Sequence, residues 1–525
     1  MTHSKRKNIK SVLPCLGRGL LCGAVTGAVI FLFRMAAGYA EKISRFCYDF
    51  SASSPVFIPM TFVLLVVAAL LMSRLHRAVP EAKGGGIPRS EGVLRGRLTF
   101  NWLKTFLGTI GGSLLSYLCG LPVGSEGPAV LLGTSLGKIC SYSNNPQNVC
   151  DRYVMTGGAG AGFAVATGAP LSAILFSMEE LHKRFTPVLL ITVSTTVLSA
   201  TFVNRLLCSA FSVDPSLLHL PALSSFVLKN VGQLLLLGLL IAFAVAVFDH
   251  AVLMLGKLSQ KFGKTFSPAV KLIIVFAATG ILAFVLHDGI FSGHHTILIA
   301  AQNEYTTAML VLLLLVRLFM MMLVTESGAT GGIFIPTLAI GALAAALSAE
   351  LLVAIGLPPQ LYGTVVVLGM CAFIGGTLRA PLTSAVLFVE LTGQFSDLFF
   401  VALVVFIVNI ITELLDQLPF YDFALEKMEE AQNHGKPSVI SYFEMIVDEH
   451  SFAAGKPVRN ILWPATTTIH SITHANSGQP HLDHDGECRL QPGDKIIVCL
   501  HYHDQQAVME ELADLVGSQV TEITL

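Results

Sequence analysis

Long apolar stretches separated by short polar ones order most of this chain. Apolar runs lie near positions 18–38, 56–74, 103–120, 187–208, 228–248, 269–286, 306–324, 336–355 and 396–413, close to the roughly 20 residues an α-helix needs to cross hydrocarbon. Shorter apolar segments between them are broken by glycine or proline, the pattern of half-helices inside a membrane. The first run follows Lys5, Arg6, Lys7 and Lys10 and is long, with no clear small-residue cleavage site behind it, so it reads as a retained first helix. Arg74, Arg77, Lys83, Arg89, Arg95, Arg97 and Lys104 crowd one loop. The positive-inside tendency puts that loop and the amino terminus on the cytoplasmic side.

After about residue 425 the pattern changes. Glu426, Lys427, Glu429, Glu430, His434 and Lys436 make a solvated linker, and apolar residues then alternate over 439–447, 466–473 and 495–500, which predicts short strands. Gly493-Asp494 signals a turn, and 505–515 reads as an amphipathic helix. The expected domains are a tail over 1–15, a membrane domain over 16–425, a linker over 426–438 and a small α/β unit over 439–525.

The membrane part repeats itself. A shift of 211 positions places Ala169-Pro170-Leu171 on Ala380-Pro381-Leu382 and Glu179 on Glu390, while a shift of 208 places Gly124, Pro128 and Gly133 on Gly332, Pro336 and Gly341. The expected fold class is therefore an all-α polytopic membrane protein with inverted repeats and broken half-helices, plus a small carboxy-terminal α/β cytoplasmic domain, with a site at the interface of the halves. Composition agrees, with 53% hydrophobic and 13% charged residues and a mean hydropathy of +0.69. A net charge of -1 gives no reason to expect nucleic acid. The ten cysteines sit mostly in apolar runs and show no disulfide framework or zinc pattern.

Candidate chemistry centres on three glycine-rich elements that each end in proline: Gly84-Gly85-Gly86-Ile87-Pro88, Gly124-Ser125-Glu126-Gly127-Pro128 and Gly331-Gly332-Ile333-Phe334-Ile335-Pro336. Proline suits the first turn of a helix, and the preceding glycines let a ligand approach unpaired N–H groups. Helix starts of this kind hold an anion by amide donors and partial charge, without a full positive charge that would bind too tightly for turnover. A single glycine cluster is equally a helix kink; three together favour a site. Glu126 is the only acidic residue from Gly92 to Cys150, and an ionisable group at membrane depth marks function.

These motifs resemble the CLC family of chloride channels and proton-coupled chloride exchangers, over about residues 15–425. The resemblance implies that Glu126 is a gating glutamate, that Glu180 of the pair Glu179-Glu180 is the inner proton-transfer glutamate of exchangers, and that Tyr421 helps close the inner anion site. It assigns anion contact to Gly84, Gly85, Gly86, Ile87, Ile333 and Phe334, with Gly124, Ser125, Gly127, Pro128, Gly332, Pro336 and Glu91 supporting. It further implies a homodimer with one pathway per subunit, chloride and protons as transported species, no cofactor, and a bacterial inner membrane with both termini cytoplasmic. A solvated helix end is the alternative for Glu179-Glu180. Gly85 stands where chloride-selective relatives have serine, Ser125 replaces a frequent basic residue, and Arg89 stands where an acidic one often follows Ile-Pro; the first departure leaves the preferred anion open among chloride, bromide and nitrate, while Gly127-Pro128 after Glu126 and the presence of Tyr421 argue against the fluoride-exporting branch.

The segment from Lys456-Pro457-Val458 through Trp463-Pro464 to Leu490-Gln491-Pro492-Gly493-Asp494 resembles the TrkA carboxy-terminal domain, which implies a small-ligand sensor. His470, His474, His481, His484, His501 and His503, with Cys488 and Asp485 nearby, fit no zinc frame and read as solvated or strand-edge groups. Against the exchanger stand a passive channel, a pure sensor and an intramembrane hydrolase. The hydrolase lacks His-Glu-x-x-His and any metal partner for His294-His295.

Overall fold

The computed structural model describes the chain except residues 1, 142–149, 216–217, 219, 221–222, 263–265, 417, 434–438, 465, 476–479, 482–485, 503–504, 518–519 and 524–525. A first set of helices comprises α1 Thr2–Ser53, α2 Ile58–Ala78, α3 Ile87–Leu94, α4 Trp102–Leu118, α5 Glu126–Ser141, α6 Cys150–Thr167, α7 Pro170–Phe176 and α8 Pro187–Phe211. A second set comprises α9 Val231–Phe262, α10 Pro268–Val285, α11 His294–Ala301, α12 Thr307–Ser327, α13 Phe334–Ala354, α14 Tyr362–Leu378, α15 Pro381–Thr392 and α16 Leu398–Leu414, and α17 Phe420–Gln432 closes the helical part.

Among the described residues, nine helical stretches are long and apolar enough to cross a membrane. The expected run 103–120 is α4, at 17 residues a shorter helix. In its place stands Pro359–Leu378, outside the expected runs and 94% buried over its most apolar window. Gly363, Gly369, Gly375 and Gly376 break its apolar run into short pieces. Protein rather than lipid surrounds it, so it needs no lipid-facing apolar surface. Cys15 is disulfide-bonded, a correction to the expectation of no disulfide, because pairing depends on which helix ends meet and not on spacing along the chain.

Two reciprocal contacts join the halves. Glu179 accepts hydrogen bonds from the amides of Leu382 and Thr383 (2.9 and 2.7 Å) and from Thr383 Oγ1 (2.7 Å), at the start of α15. Glu390, its counterpart under the 211 shift, accepts from the amides of Leu171 and Ser172 (2.8 Å each) and from Ser172 Oγ (2.6 Å), at the start of α7. Each carboxylate thus caps the other half's broken helix, where orphan amides and the helix dipole both favour an anion. Gly124 and Gly332 likewise exchange two backbone hydrogen bonds of 2.6 and 2.7 Å as an antiparallel bridge. When residue i meets j and the equivalents of i and j meet in return, the halves are related by a two-fold axis.

Beyond α17 lies an antiparallel sheet of β1 Val439–Ile446, β2 Thr468–Thr473, β3 Pro480–His481, β4 Lys495–Tyr502 and β5 Val520–Ile523, in the order β3-β2-β4-β1-β5 and covered by α18 Gln505–Val516. Strands β1, β2 and β4 and helix α18 match the expected segments; β3 and β5 are too short to show alternation. Alternate residues Ile496, Val498 and Leu500 enter the core with Phe443, Ile472 and Leu512. Helix α17 runs unbroken across position 425, and Lys427 binds Glu326 at 2.7 Å while Arg97 pairs with Glu429. The sheet unit docks on α6, with the Phe452 ring 5.7 Å from that of buried Tyr153 and Glu511 paired with Arg152. His434, Lys436, His484, Asp485 and His503 lie outside the described residues.

Glu390→Ala leaves two α7 amides and a hydroxyl without their acceptor, so it is expected to cost about 1–3 kcal/mol. Thermal unfolding of the detergent-solubilised protein measures this, and an unchanged midpoint would contradict the cross-capping role.

Candidate functional site

The three glycine elements meet. The Gly84 amide donates to Gly328 O at 3.1 Å and the Gly331 amide to Gly84 O at 3.3 Å, and Gly124 and Gly332 form the bridge. Gly84 and Gly86 have φ of +80° and +84°, a left-handed conformation costly for residues with a Cβ. From this meeting point α3, α5 and α13 start at Ile87, Glu126 and Phe334. Gly85, Ile87, Pro128, Ile333, Phe334 and Pro336 are all buried or nearly so. Phe334 stands edge-on to Phe163, centroids 5.0 Å apart, and Phe163 stacks on Phe176 at 4.4 Å.

Glu126 is fully buried. Its Oε1 accepts from Ser125 Oγ at 3.1 Å, and its Oε2 has no hydrogen-bond partner among the described residues. The carboxyl folds back over Gly124, where an added Cβ would collide with Oε2. A buried carboxylate oxygen left unpaired is costly. Such a group is stable neutral, or charged when something moves.

Glu180 sits in a π-helical turn over Ser177–Leu181, is 1% exposed, and its Oε1 likewise has no partner among the described residues. The wide turn separates it from Glu179, which is consumed as the α15 cap. Around Glu180 stand Glu91, Lys183, Asp422 and Arg95. Glu91 binds Arg95 at 2.6 Å and lies 3.7 Å from Lys183, whose Nζ is 2.6 Å from Asp422. Glu91, expected as support for the first glycine loop, thus belongs to the Glu180 cluster. Tyr421, fully buried at the start of α17, lies within electrostatic reach of Glu180, Glu126 and Glu91.

Two cavities approach from the α17 side. One of about 620 Å³ is lined by Lys83, Gly84, Gly85, Arg89, Ile333 and Lys427 among others. The other, of about 460 Å³, is lined by Glu179, Glu180, Lys183, Arg379, Asp416 and Asp422 among others. The first combines Lys83, Arg89, Lys271 and Lys427 with Glu81, Glu326 and glycine backbone, and the second combines five carboxylates with Lys183 and Arg379.

Several supports have no motif in the sequence. Thr330 Oγ1 donates to Ala82 O at 2.7 Å and so serves as acceptor for His76 Nε2 at 2.9 Å, and its carbonyl accepts from Ser116 Oγ at 2.5 Å; Tyr117 Oη donates to Gly124 O at 3.0 Å. Arg34 of α1 lies within electrostatic reach of Glu126 and donates to Val165 O at 2.8 Å. It supplies a cation that the sequence at Ser125 lacks, from a helix some 90 residues earlier.

A family model described as voltage gated chloride channel matches residues 63–413. An "H(+)/Cl(-) exchange transporter ClcA" of Citrobacter koseri is 28% identical over 396 residues, covering 74% of this chain and 82% of the relative. The protein of the same name from Salmonella schwarzengrund is 27% identical over 429 residues, covering 80% and 89%. Among solved structures, that of a slow cyanobacterial Cl-/H+ antiporter superposes with a TM-score of 0.73 at 24% identity, over 80% of this chain and 99% of that one. A CLC-type fluoride/proton antiporter gives 0.62 at 22% identity, over 76% and 96%. The fold is common to all of them.

The loops give a paired prediction. A Cβ on Gly127 would overlap Gly85 O and lie 2.8 Å from Gly332 Cα, whereas one on Gly85 meets nothing closer than 3.6 Å. Gly127→Ala is expected to lose about 1–3 kcal/mol or more, and Gly85→Ser to stay within about 0.5 kcal/mol of wild type. Thermal unfolding ranks the two, and the reverse ranking would contradict this packing of the loops.

Proposed function

The chain belongs to the voltage gated chloride channel family, and from that premise we propose that this multi-pass membrane protein exchanges chloride, or a similar small anion, for protons. The observation that carries the reading is the pair of buried carboxylates, Glu126 and Glu180, each with an oxygen that lacks a hydrogen-bond partner among the described residues, both within electrostatic reach of buried Tyr421. The relatives named as H(+)/Cl(-) exchange transporters support transport rather than hydrolysis.

In this mechanism the anion rests where α3, α5 and α13 begin, on the amides of Ile333 and Phe334 with Gly84, Gly85, Gly86 and Ile87 beneath it. Ionised Glu126 competes with the anion for that place. Once protonated it no longer competes and swings aside, because a neutral carboxyl is held far more weakly than an anion by amide donors and helix dipoles. Tyr421 closes the site on the α17 side. Glu180 passes protons between Glu126 and the carboxylate-lined cavity, while the anion travels the cavity edged by Lys83, Arg89 and Lys427. Separate inner routes bring the two ions to the site independently, so exchange requires both to meet at Glu126.

The bacterial relatives support a bacterial inner membrane, and the basic loop around Arg95 supports cytoplasmic termini. The homodimer with a pathway in each subunit rests on the family resemblance. The sheet unit beyond α17 serves as a TrkA carboxy-terminal-like sensor of a small ligand, seated on α6 through Phe452 and Glu511.

In liposomes under a chloride gradient, wild-type protein is expected to drive uphill proton movement. Glu126→Gln and Glu180→Gln should each abolish it, with Glu180→Gln retaining anion flux. Wild-type anion flux without proton movement would make the protein a channel instead.

A further inference from the structure

The sheet unit contains a cysteine, a histidine and an aspartate arranged in series, outside everything the transport mechanism uses. Asp494 is 1% exposed and fixed from three sides: Oδ1 accepts from the Ala475 amide at 3.2 Å, and Oδ2 accepts from the Gln491 amide at 2.7 Å and from His474 Nδ1 at 2.9 Å. A carboxylate held on Nδ1 selects the tautomer with its proton there, which leaves Nε2 as an acceptor. The Cys488 Sγ stands 3.5 Å from that Nε2. A nucleophile within reach of a base, with the base oriented by a third group, is the arrangement that activates a thiol. His474 is 35% exposed on its side chain and Cys488 is half-buried, so small reagents can reach the pair.

We propose that Cys488 is an activated thiol and the modification site of this domain, with His474 as its base, Asp494 as the positioning residue and a small hydroperoxide as its reagent. Nε2 of His474 takes the thiol proton, and the imidazolium formed is stabilised by Asp494. The thiolate sulfur attacks the hydroxyl oxygen of the hydroperoxide; an S–O bond forms as the O–O bond breaks. The departing alkoxide, or hydroxide from hydrogen peroxide, takes the proton from His474. Sulfur is oxidised by two electrons to a sulfenic acid and the peroxide is reduced to an alcohol or water, which places the product on the reversible part of the thiol oxidation series.

The test uses the full-length protein in detergent, with each cysteine's alkylation by iodoacetamide followed by mass spectrometry across pH. Half-buried Cys499 of β4 is the internal control. At about pH 7 Cys488 is expected to react at least about tenfold faster than Cys499, as a thiol with a lowered pKa does. His474→Gln should bring it down to the rate of Cys499 and return its pH–rate profile to that of an ordinary thiol. Hydrogen peroxide followed by dimedone should label Cys488 in wild type and not in His474→Gln. Asp494→Asn should reduce the rate as well; because Asp494 also holds the turn, His474→Gln decides if that variant fails to fold. Equal rates for Cys488 and Cys499, or an unchanged rate in His474→Gln, would overturn the activation. Fast alkylation without a dimedone adduct would overturn the oxidation.

Discussion

A helix broken inside a membrane exposes amides that no water can satisfy, and the membrane part of this protein is organised by how those amides are answered. At α7 and α15 the answer is exchanged: Glu390 of the second half caps the first, and Glu179 of the first caps the second. Removing either carboxylate leaves orphan donors in both sequence and space, so the halves are bound to one another by their own defects. At α3, α5 and α13 the helix starts meet instead at glycine loops, and glycines allow those loops to come close, as the exchanged hydrogen bonds of Gly124 and Gly332 show.

The same constraint separates Glu179 from Glu180. Adjacent in sequence, they are parted by a π-helical turn that points one at the α15 amides and the other into the cluster of Glu91, Lys183 and Asp422. Two helices run between the glycine loops and the Glu180 cluster. Helix α3 starts at the first glycine loop and carries Glu91, while α17 carries buried Tyr421 and neighbouring Asp422, which pairs with Lys183.

Much of this was legible in the chain because glycine and proline are read locally. The helix starts at Ile87, Glu126, Phe334, Pro170 and Pro381 follow from their motifs, and the 211-residue shift pairs Glu179 with Glu390 before any contact is known. What the shift could not say is that the pair exchanges partners, nor which of Glu179 and Glu180 is free for proton work without the family pattern. Thr330, His76 and Arg34 were invisible, since a lone polar residue in an apolar helix carries no spacing signal and acts through partners far along the chain. Helix α14 was missed because its glycines, which pack closely against neighbours, break its apolar run into short pieces, and the Cys15 disulfide because it depends on tertiary placement.

Anomalous diffraction from bromide-soaked crystals tests most directly whether the unanswered helix starts hold the anion. Bromide should give a peak against the amides of Ile333 and Phe334, close to Gly85 and the Tyr421 hydroxyl, and a second at the carboxyl position of Glu126 in Glu126→Gln. Bromide bound elsewhere in the membrane part, with none at the meeting point of the three loops, would contradict it.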